Sequence, residues 1–159
     1  MWINELWRYP VTESEIKRAI AKVDEANLRR DIFHLSKDPL PYRKLNFTRP
    51  GQQMSTLEEA DAFIAGQLES WGYTVEREPV QVQAFRSDRS RPRHHWYSKP
   101  EPADPWYTAD NLYAKTRGVS RPDEFIYLLA HKDSPSWIDC PGAYDNAVGT
   151  AGTLEIARL

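Results

Sequence analysis

The nearly continuous apolar run Phe125-Ile126-Tyr127-Leu128-Leu129-Ala130 constrains the fold more than any other stretch of the chain. An apolar run without polar alternation suits a central strand covered on both faces, as in a sheet sandwiched by helices. The flanking patterns supply helices. Thr12 and Glu15 have capping-box spacing, and Ile16, Ala19, Ile20, Val23 and Ala26 fall on one helical face. Leu28, Ile32 and Leu35 continue that helix or begin another, and helical order stops before Pro39 and Pro41.

The clearest helix follows a proline-bearing connection over residues 38–51. Ser55 with Glu58, or Thr56 with Glu59, caps it. Leu57, Ala60, Phe63, Ile64, Leu68 and Trp71 make its buried stripe, and Gly72 ends it. Alternation at Tyr73 and Val75, then at Val80, Val82 and Ala84, predicts strand structure, and Asn111–Thr116 a further short strand. Residues 86–110 read as a long loop rich in proline and arginine. A last helix starts at Ala147 and reaches Leu159 without a stop signal. This order of elements predicts an α/β layered domain.

Charge and composition exclude several function classes. Lys plus Arg number 21 and Asp plus Glu 23, a formal charge of −2, which argues against a general binder of nucleic acid or anionic membranes. The stretch with Arg86, Arg89, Arg91, Arg93, His94, His95 and Trp96 has the residue types of a single-strand binder. The near-neutral balance favours a solvated, proline-stiffened loop instead, so no nucleic-acid partner is expected. Cys140 is the only cysteine, which excludes an intramolecular disulfide. No apolar run approaches the roughly 18 residues of a membrane span. The start, MWINELWRYP, lacks the basic and apolar regions of a secretory leader. As written the chain reads as cytoplasmic, with secretion open if the natural N-terminus differs.

The chemistry concentrates in residues 128–159. His131 follows the buried strand at its carboxyl end, where α/β sheets place ligands. Asp133, two residues on, is directed to the same side by extended backbone. Its carboxylate can take one imidazole N–H and present the other nitrogen to a metal. Asp145, with two oxygens, can bridge two cations in the manner of two-metal hydrolysis. Each has a plainer alternative: His131 as a satisfied polar residue, Asp133 as a turn former, Asp145 as a helix cap. Gly149 and Gly152 fit close packing of the last helix.

Together these residues carry a resemblance. His131-Lys132-Asp133-Ser134 after an apolar strand, then Gly142-Ala143-Tyr144-Asp145-Asn146-Ala147-Val148-Gly149 opening a helix, resemble the zinc aminopeptidases of metallopeptidase family 28. Leu68-Glu69-Ser70-Trp71-Gly72-Tyr73 and Asn111-Leu112-Tyr113-Ala114 resemble the same family's lead-in. The resemblance covers roughly residues 28–159, leaving 1–27 as an N-terminal helical extension. It implies a three-layer α/β/α sandwich with a mixed sheet and two zinc ions. It also implies His131 as a ligand of one zinc, Asp145 as the bridge and Asp133 as the orienter of His131. The substrate would be a peptide or N-terminal amino acid, cleaved by a metal-activated water with a glutamate as base. The peptide bond after the bridging aspartate is often cis in such enzymes.

The family places its base, an adjacent carboxylate ligand, a further Asp or Glu and a final His ligand downstream of the bridging aspartate. Here only 14 residues follow Asp145, with Glu155 their one carboxylate side chain. Glu58-Glu59 precedes the metal motif and reads as capping. The chain is therefore expected to be the N-terminal portion of a longer peptidase, incomplete at its C-terminal side and inactive alone. Two alternatives keep the fold: a non-catalytic binding or receptor domain, and a glutaminyl-cyclase-like enzyme. Trp137, between the two motifs, is the candidate substrate-binding residue, with Trp96 and Trp106 as weaker ones.

Overall fold

The computed structural model describes residues 11–159. The stretch MWINELWRYP, which bears on export, lies outside the described residues. Helix α1, Glu13–Ile20, starts at the predicted capping box: Thr12 Oγ1 accepts from Glu15 N at 3.2 Å, and Thr12 N donates to Glu15 Oε2 at 2.8 Å. Its apolar residues Ile16 and Ile20 are exposed. Asp24 Oδ1 accepts from Ala26 N at 2.8 Å and starts a separate helix α2, Glu25–Ser36, so Leu28, Ile32 and Leu35 belong to a second helix.

Helix α3, Thr56–Ser70, is the centre of the packing. Ser55 and Glu58 form its capping box, and Gly72 follows with φ +90°. Glu59 does not cap; it pairs with Arg49. Leu57, Ala60, Ile64, Ala65 and Leu68 are buried along one stripe. One apolar cluster joins α3 to the end of α2 through Leu35, Leu40, Ala60 and Ala147, with Phe63 against it. The other joins Ile64 and Leu68 to Leu154 of the last helix α4, Val148–Arg158, with Tyr73, Val75 and Leu112 packed against it.

The sheet structure is smaller than the sequence suggests. Strand β1, Val75–Gln83, runs unbroken through Pro79, which an edge strand tolerates. Within the stretch 86–110 lie a short ribbon of β2, Arg86–Ser87, and β3, Tyr97–Ser98. The partner of β1 is β4, Trp106–Ala114, antiparallel from Val75 opposite Ala114 to Gln83 opposite Trp106. Residues 106–110 thus belong to a strand and not to the loop. Helices over small antiparallel sheets are compatible with an α/β fold.

The run Phe125–Ala130 differs from its expectation. Among the described residues no strand pairs with it, and Ile126 is 90 % and Leu129 84 % exposed. Its composition calls for cover on both faces, and neither β1 nor β4 lies beside it to provide hydrogen bonds. No described helix is long and apolar enough to cross a membrane.

Candidate metal centre

Three segments meet at the site: the extended stretch ending at Ser134, the turn that leads into α4, and the connection after α2 that carries Arg43. Arg43 has no exposed surface. Its Nε donates to Lys132 O at 2.6 Å, Nη1 to Pro141 O at 2.8 Å and to Leu35 O, and Nη2 to Gly142 O at 3.0 Å. Ser134 completes the join: its N–H donates to Arg43 O at 2.8 Å, and its Oγ accepts from Arg43 N at 3.0 Å. Burial pulls the Arg43 guanidinium down from its ordinary range, and the nearby Asp133 and Asp145 charges oppose that pull. One planar fork therefore fixes the backbone on both sides of the site.

Further polar contacts hold the same loops. Lys132 pairs with Asp61, a carboxylate buried on α3. Burial raises the Asp61 carboxyl, and the Lys132 ammonium works against it. Thr150 of α4 donates to His131 O at 3.2 Å. The connection from Ser136 to Asp139 is tied down by Asn46 Nδ2 to Ser136 O at 3.2 Å and by Lys44 to Asp139 at 3.0 Å.

Gly142 sets the second half. Its φ is +56°, and a Cβ there would come within 2.6 Å of Asp145 O and 2.9 Å of Arg43 Nη2. The glycine is needed both for the left-handed backbone and for the close approach. Ala143–Ala147 form one wide turn closed by Ala147 N to Gly142 O at 3.0 Å, with Asp145 and Asn146 at non-helical φ of −125° and −140°. The Asp145–Asn146 peptide is cis. At the start of α4 the Gly149 N–H is taken by Asn146, whose Oδ1 accepts it at 3.1 Å, so the side chain that serves there is Asn146 and not Asp145. Gly149 clears the Asn146 amide, since a Cβ would stand 2.2 Å from Oδ1, whereas nothing lies within 4 Å of a Cβ at Gly152.

These elements bring His131, Asp133 and Asp145 together. His131 Nδ1 lies 3.0 Å from Asp133 Oδ1, and Nε2 lies 2.7 Å from Asp145 Oδ1. Burial draws the imidazole down, but the hydrogen bonds to Asp145 and Asp133 outweigh it and hold the ring above its ordinary value. A neutral ring that donates Nδ1–H to Asp133 turns its Nε2 lone pair onto the Asp145 carboxylate. Two lone pairs 2.7 Å apart need a positive charge between them, either a proton or a metal cation. One imidazole nitrogen and one carboxylate, with a second carboxylate behind the ring, fit zinc by donor kind. By number they supply two ligands where a catalytic zinc usually takes three. Among the described residues no group of three or more His, Cys, Asp or Glu side chains is arranged to hold a metal.

The other candidates lie apart from this cluster. Glu155 is buried and engaged: Arg158, the Asp24 N–H at 2.7 Å and Asn27 all bind it, so it is not free to serve as a base. Trp137 packs against Phe85 and Tyr97, with ring centroids 5.9 and 5.4 Å away. Trp96 lies in the ribbon near Arg89 and Arg93, and Trp106 is exposed on β4. Arg86 and Arg91 of the basic stretch are paired with Glu101 and Asp88.

His131 and Asp133 at the end of an extended stretch, facing Asp145 at a helix mouth, make up the candidate site. The sequence model described as Peptidase family M28 matches residues 111–159, which take in the end of β4, the apolar run, His131, Asp133, Asp145 and α4. The likeness is confined to that stretch, and it suggests a peptidase-type function. No curated protein and no solved structure matches the chain.

Proposed function

We propose that this chain carries the leading part of the catalytic domain of a zinc-dependent exopeptidase acting on the N-terminus of peptides. The observation that carries this is the pair of contacts at His131, with Nδ1 on Asp133 and Nε2 on Asp145. His131 Nε2 and Asp145 would hold the metal, with Asp145 free by its second oxygen to reach another ion. Asp133 holds the ring in the tautomer that faces the metal. Zinc bound there supplies an acidified water and polarises the scissile carbonyl.

The remaining ligands and the general base are assigned to polypeptide outside these 159 residues, because Glu155 is already committed and the donor count falls short. The same polypeptide supplies sheet partners for the run Phe125–Ala130, completing a three-layer α/β/α sandwich. On this account the 159 residues alone hydrolyse nothing.

The test is hydrolysis by the gene's full product purified from its source cells. Release of the N-terminal residue from short peptides should stop with a chelator, return with zinc and be lost in His131→Ala. A product that binds peptides but never cleaves them, zinc present or absent, would make this a non-catalytic relative.

A further inference from the structure

Among the described residues no strand pairs with the stretch that carries His131 and Asp133, so no sheet sets which way it faces. Successive side chains of an extended backbone point to opposite sides, and here the two sides differ in cover. The Lys132 side chain is 17 % exposed, against 50 % for His131 and 57 % for Asp133. Ser134, next on the Lys132 side, is buried. Lys132 meets Asp61, which belongs to the buried residues of α3 together with Ala60, Ile64 and Ala65. Among the described residues Lys132 is the one cation within ion-pair distance of that carboxylate, and Arg77 is taken by Asp110 at 3.1 Å.

We infer that the Asp61–Lys132 pair is a register lock and that both are positioning residues for the candidate site, which rests on the roles of His131 and Asp145 proposed above. Most other holds on the stretch are indifferent to which residue they grip. The His131 carbonyl accepts from Thr150 Oγ1 at 3.2 Å, and those of Lys132 and Asp133 accept from the Arg43 fork at 2.6 and 3.4 Å. Every residue carries a carbonyl, so a stretch shifted by one position would satisfy those donors equally. Such a shift turns every side chain to the other face. It would carry His131 and Asp133 against α3 and point Lys132 at Asp145. The Lys132 ammonium opposes it, because moving that charge away leaves the Asp61 carboxylate buried and uncompensated. Ser134 Oγ, accepting from Arg43 N at 3.0 Å, marks the same register through a neutral contact. A buried ion pair adds little stability over apolar residues of similar volume, and fixing register is its best-attested use. An acid set among Ala60, Ile64 and Ala65 fits that use.

The test follows the histidine ring nitrogens of the 159-residue chain at fixed pH, first with a chelator and then with zinc, His131 being assigned through His131→Gln. The parent should show one His131 ring state, with its Nδ1–H held on Asp133. Asp61→Leu combined with Lys132→Met removes both charges and keeps apolar packing. This double variant should unfold in urea at the parent midpoint or above, yet show His131 in more than one ring state with chelator present. Its zinc affinity should fall about tenfold or more. A second apolar pair, Asp61→Ala with Lys132→Leu, gives the same readout should the first fail to fold. Lys132→Arg, which keeps the charge, should retain the single ring state and the parent zinc affinity. A folded double variant whose His131 ring and zinc response match the parent would overturn the assignment and leave a merely structural pair. A parent with a single ring state that takes up no zinc would count instead against the metal site proposed above, because the register lock is read without metal.

Discussion

Arg43 and Ile126 sit at opposite ends of the burial scale, and against their chemistry. The guanidinium has no exposed surface, while the aliphatic side chain is 90 % exposed. The difference lies in where each finds partners. The Arg43 guanidinium donates to backbone carbonyls inside the described chain, at Leu35, Lys132, Asp133, Pro141 and Gly142. The run around Ile126 asks for a surface on both faces, and no described element supplies one. The backing of the candidate site is thus specified internally, whereas the apolar run contributes little to the stability of these residues.

Removing the buried fork should give the largest effect. Arg43→Met leaves several buried carbonyls without donors, at about 1–3 kcal/mol each. A loss of at least about 3 kcal/mol in urea unfolding is expected, with Arg43→Lys restoring less than half because an ammonium cannot reproduce the planar fork. Next comes Gly142→Ala, which forces a Cβ to within 2.6 Å of Asp145 O in left-handed backbone. It should cost about 2–3 kcal/mol. Its thermal shift should exceed that of Gly152→Ala, where a Cβ meets nothing within 4 Å.

A smaller effect belongs to Glu155, buried at the far end of α4. Arg158 lowers its carboxyl first, burial opposes, and the Asp24 N–H adds to the lowering, so the group falls from its ordinary 4.5 to about 2. A depressed carboxyl stabilises the fold above its unfolded value and loses that contribution as pH falls through the folded one. The gap in stability between the native chain and Glu155→Gln should be about 1–2 kcal/mol at pH 7. It should shrink between pH 4.5 and about 2. The smallest effect is expected from Ile126→Lys, within about 0.5 kcal/mol of the parent. A loss of several kcal/mol there would show that the run is covered after all and would remove the contrast with Arg43.

Local signals and long-range ones were not equally legible in the sequence. The capping boxes at Thr12 and Ser55 and the turn at Gly72 depend on residues within a few positions, and the structure has them where the pattern predicts. His131, Asp133 and Asp145 were readable as a set because spacing and residue type survive without coordinates. Arg43 was not, since its partners at Lys132 and Gly142 lie 89 and 99 residues away and nothing in Pro-Tyr-Arg-Lys marks a buried cation. Asn146 was hidden for a different reason: Asp145 and Asn146 are equally good helix caps by type, and only the turn geometry decides which one serves. The exposure of the run 125–130 was not legible, because composition reports what a segment requires, not whether the described residues meet the requirement.

Zinc titration of the 159-residue chain, followed on the histidine side-chain nitrogens, examines the proposed metal centre directly. Zinc should bind weakly, shift His131 Nε2, leave the Nδ1–H on Asp133 in place, and lose that site in Asp145→Asn. A His131 ring unmoved at saturating zinc, with any binding confined to His34, His94 or His95, would contradict the assignment of His131 and Asp145 as metal ligands.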